Sequence, residues 1–200
     1  MGKGRLEAFS DGVLAIIITI MVLELQPPHG TDLSALRPLM PVLLSYILSF
    51  VYLGIYWNNH HHMLHVTHRV TGTILWANLH LLFWLSLVPF VTAWMGENHL
   101  ASTPTALYGV VLLMAAVAYW VLQQQILHAE GPRSVLATAV GRDLKGKISL
   151  VLYTAGILLS FVNQWFGIAL YATVALIWLV PDRRVERYLR EHEDAAGGED

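Results

Sequence analysis

The fold is decided by the stretch Arg5-Leu-Glu-Ala-Phe9-Ser10-Asp11-Gly12, which runs directly into Val13-Leu-Ala-Ile16-Ile-Ile-Thr19-Ile20-Met-Val-Leu23-Glu24-Leu25. After Gly12, only Thr19 and Glu24 interrupt the apolar residues. An apolar run of this length is typical of a helix that crosses a bilayer. An acidic side chain such as Asp11 is costly at a membrane boundary unless it has polar partners. The stretch therefore predicts a membrane helix whose polar beginning is held by other parts of the protein.

The composition of the whole chain indicates an integral membrane protein. Of its 200 residues, 56% are hydrophobic and only 13% are charged, whereas soluble domains carry about 25% charged residues. Six apolar stretches each approach the roughly 20 residues that cross the hydrocarbon core; they cover about 9–26, 38–57, 72–95, 104–127, 147–162 and 165–181. We expect an all-α protein in which residues 1–190 form one six-helix transmembrane domain and residues 191–200 form a disordered tail.

The positions of lysine and arginine predict the orientation of these helices. If the N-terminus is cytoplasmic, six crossings return the C-terminus to the cytoplasm. Every lysine and arginine except Arg37 then lies on the cytoplasmic side, as the positive-inside rule requires. The lipid bilayer is therefore an expected partner, with both termini inside the cell.

One face of the first helix carries its candidate functional residues. At 100° per residue, Gly12, Ile16, Thr19, Ile20 and Leu23 fall within an arc of about 100°. An apolar stripe of this kind usually faces lipid or a neighbouring helix. The alternative is a pore wall, in which Ile16, with Ile20 and Leu23 beyond it, forms a hydrophobic constriction. Thr19 would then offer its hydroxyl to a partly dehydrated cation.

Several polar side chains fall within the apolar segments and need partners there. We expect a buried hydrogen-bond network that links Arg5, Ser10 and Asp11 to Trp76, Asn78 or His80. Such a network would set the rotation of the first helix, or it would only satisfy packing. Both interpretations stay open.

A histidine-rich run, His60-His61-His62-Met-Leu-His65-Val-Thr-His68, invites a metal-binding interpretation. On a helix, His61, His65 and His68 would share a face at spacings i, i+4 and i+7, which suits zinc or nickel. The run lies in a predicted connection without a carboxylate or cysteine beside it, so interfacial histidines that titrate are the competing interpretation. We expect no resident metal and no cofactor.

The pattern Arg5-x-x-x-Phe9-Ser10-Asp11-Gly12 on a first membrane helix resembles the signature of the transmembrane protein 175 family. Members of that family are potassium channels of prokaryotic membranes and of animal endosomes and lysosomes. The resemblance implies six helices per motif and a pore lined by the first helix. It also implies a constriction of apolar side chains and no pore loop.

The resemblance further assigns pore layers by their distance from the motif aspartate. The narrowest layer, five residues on, is Ile16 here; the next layers are Ile20 and Leu23, and the threonine between them is Thr19. This chain carries the motif once, and single-motif prokaryotic members assemble as tetramers, so a homotetramer in a prokaryotic cell membrane is implied. A ring of four is also a simple closed solution for one pore helix per chain.

The predicted function is a passive cation channel that conducts potassium ions, with modest preference over sodium. No segment resembles the potassium-channel loop Thr-Val-Gly-Tyr-Gly, so side chains rather than a cage of carbonyls would discriminate between ions. The main alternative is a proton-coupled cation transporter, although internal repeats and broken helices are not evident in the sequence. A membrane enzyme lacks a nucleophile–base pair, and no nucleic-acid partner is expected.

Overall fold

A computed structural model describes residues 2–131 and 143–179, which are helical with no strand among them. The α-helices are α1 (Lys3–Val22), α2 (Met40–His65), α3 (Gly72–Ser86), α4 (Val88–Glu97), α5 (Ser102–Glu130), α6 (Leu144–Ser160) and α7 (Gln164–Leu179). A 3-10 helix, Leu33–Leu39, leads into α2. The all-α prediction is confirmed. The predicted tail, 191–200, lies outside the described residues.

Two helices together form the third predicted span, with a kink between them. Leu87 separates α3 from α4, and Pro89 occupies the first turn of α4. Proline has no N–H to donate to the preceding turn, so helices bend at such a position. Leu87 nevertheless keeps a right-handed helical conformation, and its carbonyl accepts the Val91 N–H at 3.2 Å. Counting α3 and α4 as one span gives six helical units in the described residues.

Length and composition support some of these spans more strongly than others. In the described part of the chain, three helical stretches are long and apolar enough to cross a membrane: Leu33–His65, Gly72–Glu97 and Ser102–Glu130. Gln164–Leu179 is apolar but shorter. Helix α1 carries Lys3, Arg5, Glu7 and Asp11 in its first half, so its apolar part is brief.

The helix ends differ from the predicted span limits in both directions. Helix α1 ends at Val22 instead of continuing to about residue 26. Helix α2 continues to His65, well past the predicted limit near residue 57. Hydropathy marks where apolar residues end, whereas hydrogen bonding continues a helix into polar sequence.

The helices form two groups that meet at α5. Helix α1 packs against α2, α3 and α4, while α6 and α7 form a hairpin against the other side of α5. Glycines allow the second group to approach closely, because the ring of Tyr171 on α7 occupies the space beside Gly109 and Gly156. This places α1 at the edge of the protomer, farthest from the hairpin.

Candidate functional site: the first helix and its anchors

One face of α1 is buried within the protomer. Its residues are Leu6, Ser10, Leu14, Ile17 and Met21, each at most 4% exposed. Steps of three or four residues keep side chains on one side of a helix. This face packs on α2, α3 and α4, so α1 is held by one side only.

The predicted pore stripe lies on the opposite face of α1. Ile16 is 59% exposed, Ile20 44% and Leu23 74%, and Gly12 and Thr19 are exposed as well. Large aliphatic side chains side by side on a surface mark a face that another molecule covers.

The Thr19 hydroxyl donates a hydrogen bond to the Ile16 carbonyl at 2.9 Å. Back-bonding of this kind is common for threonine in membrane helices. The bond uses the proton of the hydroxyl and leaves the oxygen lone pairs free to accept. Because a cation is held by lone pairs, the bond to Ile16 and a cation contact are compatible.

A buried chain of hydrogen bonds anchors α1 to α2 and α3. The amide Nδ2 of Asn78 donates to Ser10 Oγ at 2.9 Å, and Ser10 donates to the Leu6 carbonyl at 2.9 Å. His60 Nε2 lies 2.7 Å from Asn78 Oδ1. An amide oxygen only accepts, so in this arrangement His60 carries its proton on Nε2. Ser10 and Asn78 are 0% exposed and His60 2%.

A second anchor joins Asp11 to α2 nearer the surface. Trp57 Nε1 donates to Asp11 Oδ1 at 3.0 Å. Trp57 and His60 are three residues apart on α2, so their side chains leave the helix on neighbouring faces. Together they hold two consecutive residues of α1. His60 holds Ser10 indirectly, through Asn78, and Trp57 holds Asp11 directly, through its indole N–H.

The structure separates the other predicted network residues from these anchors. Trp76 is 76% exposed, and His80 accepts a hydrogen bond from Trp84 Nε1 at 3.0 Å on the surface. Both lie two residues from Asn78, and a displacement of about 200° around a helix turns them away from it. Arg5 and Phe9 are exposed on α1.

Sequence analysis missed Trp57 and His60 as partners of α1. Trp57 lies at the end of the second apolar stretch, and His60 lies beyond it in the histidine run. The usable signal was their three-residue spacing, provided that α2 was extended through the polar residues that follow.

The three candidate metal histidines, His61, His65 and His68, do not share one helical face. Helix α2 ends at His65, so His68 leaves the helical register, and its Nδ1 lies 3.1 Å from Glu130 Oε2. The other oxygen of Glu130 accepts the N–H groups of His68 and Arg69 at 2.7 and 3.0 Å. His61 and His65 stack with ring centroids 6.1 Å apart. Among the described residues, no group of three or more His, Cys, Asp or Glu could hold a metal ion.

Comparisons with known proteins agree on one group of relatives. The family model described as endosomal/lysosomal potassium channel TMEM175 matches residues 5–89, a range that contains α2, α3 and all of α1 except its first two residues. The chain is 54% identical over 192 residues to a potassium channel of Chryseobacterium sp. (strain P1-3), covering 96% of this chain and 100% of that protein. It is 30% identical over 187 residues to a potassium channel of Streptomyces collinus, covering 88% and 91%.

More distant similarity extends to animals and to a solved structure. Human TMEM175, named an endosomal/lysosomal proton channel, is 35% identical over 79 residues, which is 33% of this chain and 16% of that protein. The crystal structure of a lysosomal potassium-selective channel TMEM175 homolog from Chamaesiphon minutus superposes with a TM-score of 0.79 and 28% identity. That match covers 90% of this chain and 97% of the other.

Proposed function

This chain belongs to the TMEM175 family of potassium channels, and we propose that it is a passive channel whose pore is lined by α1. Potassium ions would pass between apolar layers formed by Ile16, Ile20 and Leu23. The family's members are named as channels, so the protein is not an enzyme. We expect no cofactor beside the permeant ion.

One observation carries this proposal: α1 is anchored on one face and apolar and uncovered on the other. Two hydrogen-bonded anchors, at Ser10 and Asp11, fix the rotation of the helix from behind. Ile16, Ile20 and Leu23 therefore present a defined surface outward. A rigid apolar stripe suits a constriction that excludes water by its width. A loosely held helix would not keep that width.

One α1 cannot enclose a pore, so several copies of the chain are needed. We propose a homotetramer, the closed ring that the single motif implies, with the exposed stripes meeting at the fourfold axis. Its relatives over most of its length include bacterial potassium channels, which supports a location in the cell membrane of a prokaryote, with six spans and both termini in the cytoplasm. Residues 1–190 would form the transmembrane channel domain.

Selectivity in this arrangement rests on side chains. Between described helices the connections 66–71, 98–101 and 161–163 are short, which supports a pore without a re-entrant loop at those places. Without a cage of carbonyls to replace the hydration shell, potassium would be preferred over sodium only modestly. The Thr19 oxygen is the polar atom on the stripe that a partly dehydrated ion would meet.

A proton-coupled transporter is the second candidate. Transporters often bind ions at unwound backbone near the membrane midplane, and the kink at Leu87 is the place in α3 and α4 that most nearly fits. The Leu87 carbonyl accepts the Val91 N–H at 3.2 Å, whereas Pro89 has no N–H to donate to the Leu85 carbonyl, which is the acceptor that such a site would offer. Because the animal relatives are named proton channels, proton permeation is also to be measured.

Current recording with purified protein in planar bilayers tests the proposal. With unequal potassium on the two sides and equal pH, we expect a steady current that reverses near the potassium equilibrium potential. Replacing potassium by sodium should shift the reversal potential modestly. A flux that requires a pH gradient, or that stops without one, would favour the transporter.

A further inference from the structure

A cavity of about 850 Å³ opens between α2, α5, α6 and α7, on the side of the protomer away from the pore helix. No residue of α1 lines it. Its volume falls in the range of ligand sites, about 300–1,000 Å³. The proposed conduction path does not use this cavity, so it needs a separate explanation.

The interior of the cavity suits a hydrocarbon chain. Its walls combine the rings of Tyr52, Tyr56 and Tyr153 with the aliphatic side chains of Val117 and Leu150. Predominantly apolar walls with a few polar groups are the usual composition of a small-molecule site. An acyl chain fits walls of this chemistry, whereas a hydrated ion does not.

Among the residues that the structure describes, the cavity lining carries one positive and one negative side chain, both at the start of α6. Lys147 and Asp143 both line it, where α6 begins. Asp143 is the N-cap residue of α6, in a left-handed conformation, and Lys147 lies in the first turn that follows. No ion pair within 4.0 Å joins them among the described residues; Asp143 instead accepts the Gly146 N–H at 3.1 Å. A single ligand bound in the cavity could therefore contact both a positive and a negative side chain.

We propose that this cavity binds a phospholipid with a zwitterionic, primary-ammonium head group of the phosphatidylethanolamine class. One acyl chain lies among the tyrosine rings, the phosphate meets the Lys147 ammonium, and the lipid ammonium donates to the Asp143 carboxylate. Charge complementarity decides the class. An anionic lipid would leave Asp143 facing its negative charge, and a choline head group cannot donate a hydrogen bond to Asp143.

The cavity is connected to the pore helix through α2. Tyr52, Tyr56 and Asn59 of α2 line the cavity, while Trp57 and His60 of the same helix hold Asp11 and Asn78. A lipid that fixes α2 from the cavity side would therefore stabilise the anchors of α1 and modulate the current. This second step rests on the proposed channel function, whereas the binding step does not.

Native mass spectrometry of the purified full chain tests the binding step. Phosphatidylethanolamine, phosphatidylcholine and phosphatidylglycerol with identical acyl chains are titrated separately. We expect phosphatidylethanolamine to bind about tenfold more tightly than either competitor, as the loss of one charge-assisted hydrogen bond implies. Asp143→Asn should abolish this preference, since asparagine still caps α6 but has no charge. Lys147→Gln should weaken all three lipids.

Two adjacent positions on α6 provide a matched pair of variants. Leu150→Trp fills the cavity and should abolish retention of phosphatidylethanolamine, whereas Val151→Trp, exposed at 68% and not in the lining, should leave it unchanged. Equal binding of the three lipids, or retention in Leu150→Trp equal to that in Val151→Trp, would overturn the proposal.

The coupling to the pore is tested by comparing currents in two kinds of vesicle, one of phosphatidylethanolamine with phosphatidylglycerol and one of phosphatidylglycerol alone. Selective binding with identical currents would refute only the coupling to the pore, and absence of any current would count against the proposed function and not against the lipid site.

Discussion

The two faces of α1 differ in how completely one protomer explains them. The buried face has its polar atoms paired, from Asn78 through Ser10 to the Leu6 carbonyl. The opposite face, with Ile16, Ile20 and Leu23, is 44–74% exposed. The first face accounts for the rotation and position of the helix. The second face is not explained by contacts within the protomer, so changes on the two faces should affect different measurements.

The largest loss of stability is expected on the anchored face, from Asn78→Ala. This change leaves the His60 Nε2–H without its acceptor and Ser10 without its donor, both buried, at about 2–5 kcal/mol in total. Heating followed by fluorescence-detected size exclusion should show a lower midpoint and less assembled protein. Asn98→Ala is the control, because its amide bonds the Trp94 carbonyl at the surface; it should change stability by no more than about 0.5 kcal/mol. Equal behaviour of the two variants would mean that the buried chain is not an anchor.

On the exposed face, Ile16→Asn should change conduction and leave stability unaltered. If Ile16 forms the proposed narrowest layer, an amide there would hydrate it, raising the current and moving the reversal potential toward equal permeability for potassium and sodium. Recordings under a potassium/sodium gradient measure both quantities. The control is Val22→Asn, which is exposed on α1 but outside the stripe. Unchanged current and reversal potential in Ile16→Asn would remove Ile16 from the pore.

The outer anchor should contribute less than the buried one. Asp11→Ala leaves the Trp57 indole N–H without an acceptor, and Trp57→Phe removes the donor while keeping a ring. Because this bond lies at the surface, where water can replace the lost partner, each change should cost about 0.5–1.5 kcal/mol. The double variant should lose less than the sum of the two single losses, as it does when two residues interact. Strict additivity, or loss of ion preference with unaltered stability in Asp11→Ala, would contradict an anchoring role.

The smallest effect is expected from Thr19→Val, which keeps the shape of the side chain and removes its oxygen. The bond to the Ile16 carbonyl is lost without leaving a buried donor unpaired, so assembly should be normal. If the oxygen lone pairs contact the ion, conductance or potassium preference should fall by less than about tenfold, equivalent to about 1.4 kcal/mol. Wild-type conduction and preference in this variant would leave ion selection to the widths of the Ile16 and Ile20 layers.

The two faces of α1 also differ in how much of each could be predicted from the sequence. Apolar length and periodicity identified the all-helical class and placed Ile16, Thr19, Ile20 and Leu23 on one side of α1, because these depend on local spacing. Ser10 and Asn78 were identified as groups in need of partners. Trp57 and His60 were not, since that required knowing that α2 continues past its apolar part and crosses α1. Trp76 and His80 were predicted as possible partners because they lie at about the same depth in the membrane as Asn78. The helical period, however, turns both side chains away from Asn78.

The central claim is that the exposed stripe of α1 faces a conducting pore, and cysteine accessibility tests it most directly. The chain contains no cysteine, so Ile16→Cys introduces a single thiol into an otherwise thiol-free channel. Silver ions, which have one positive charge and bind thiolates, are added during recording of Ile16→Cys, Val22→Cys and the wild type. We predict rapid, irreversible block of Ile16→Cys and unchanged current in the other two. Block of Val22→Cys with Ile16→Cys unaffected would contradict the claim and place the stripe against lipid.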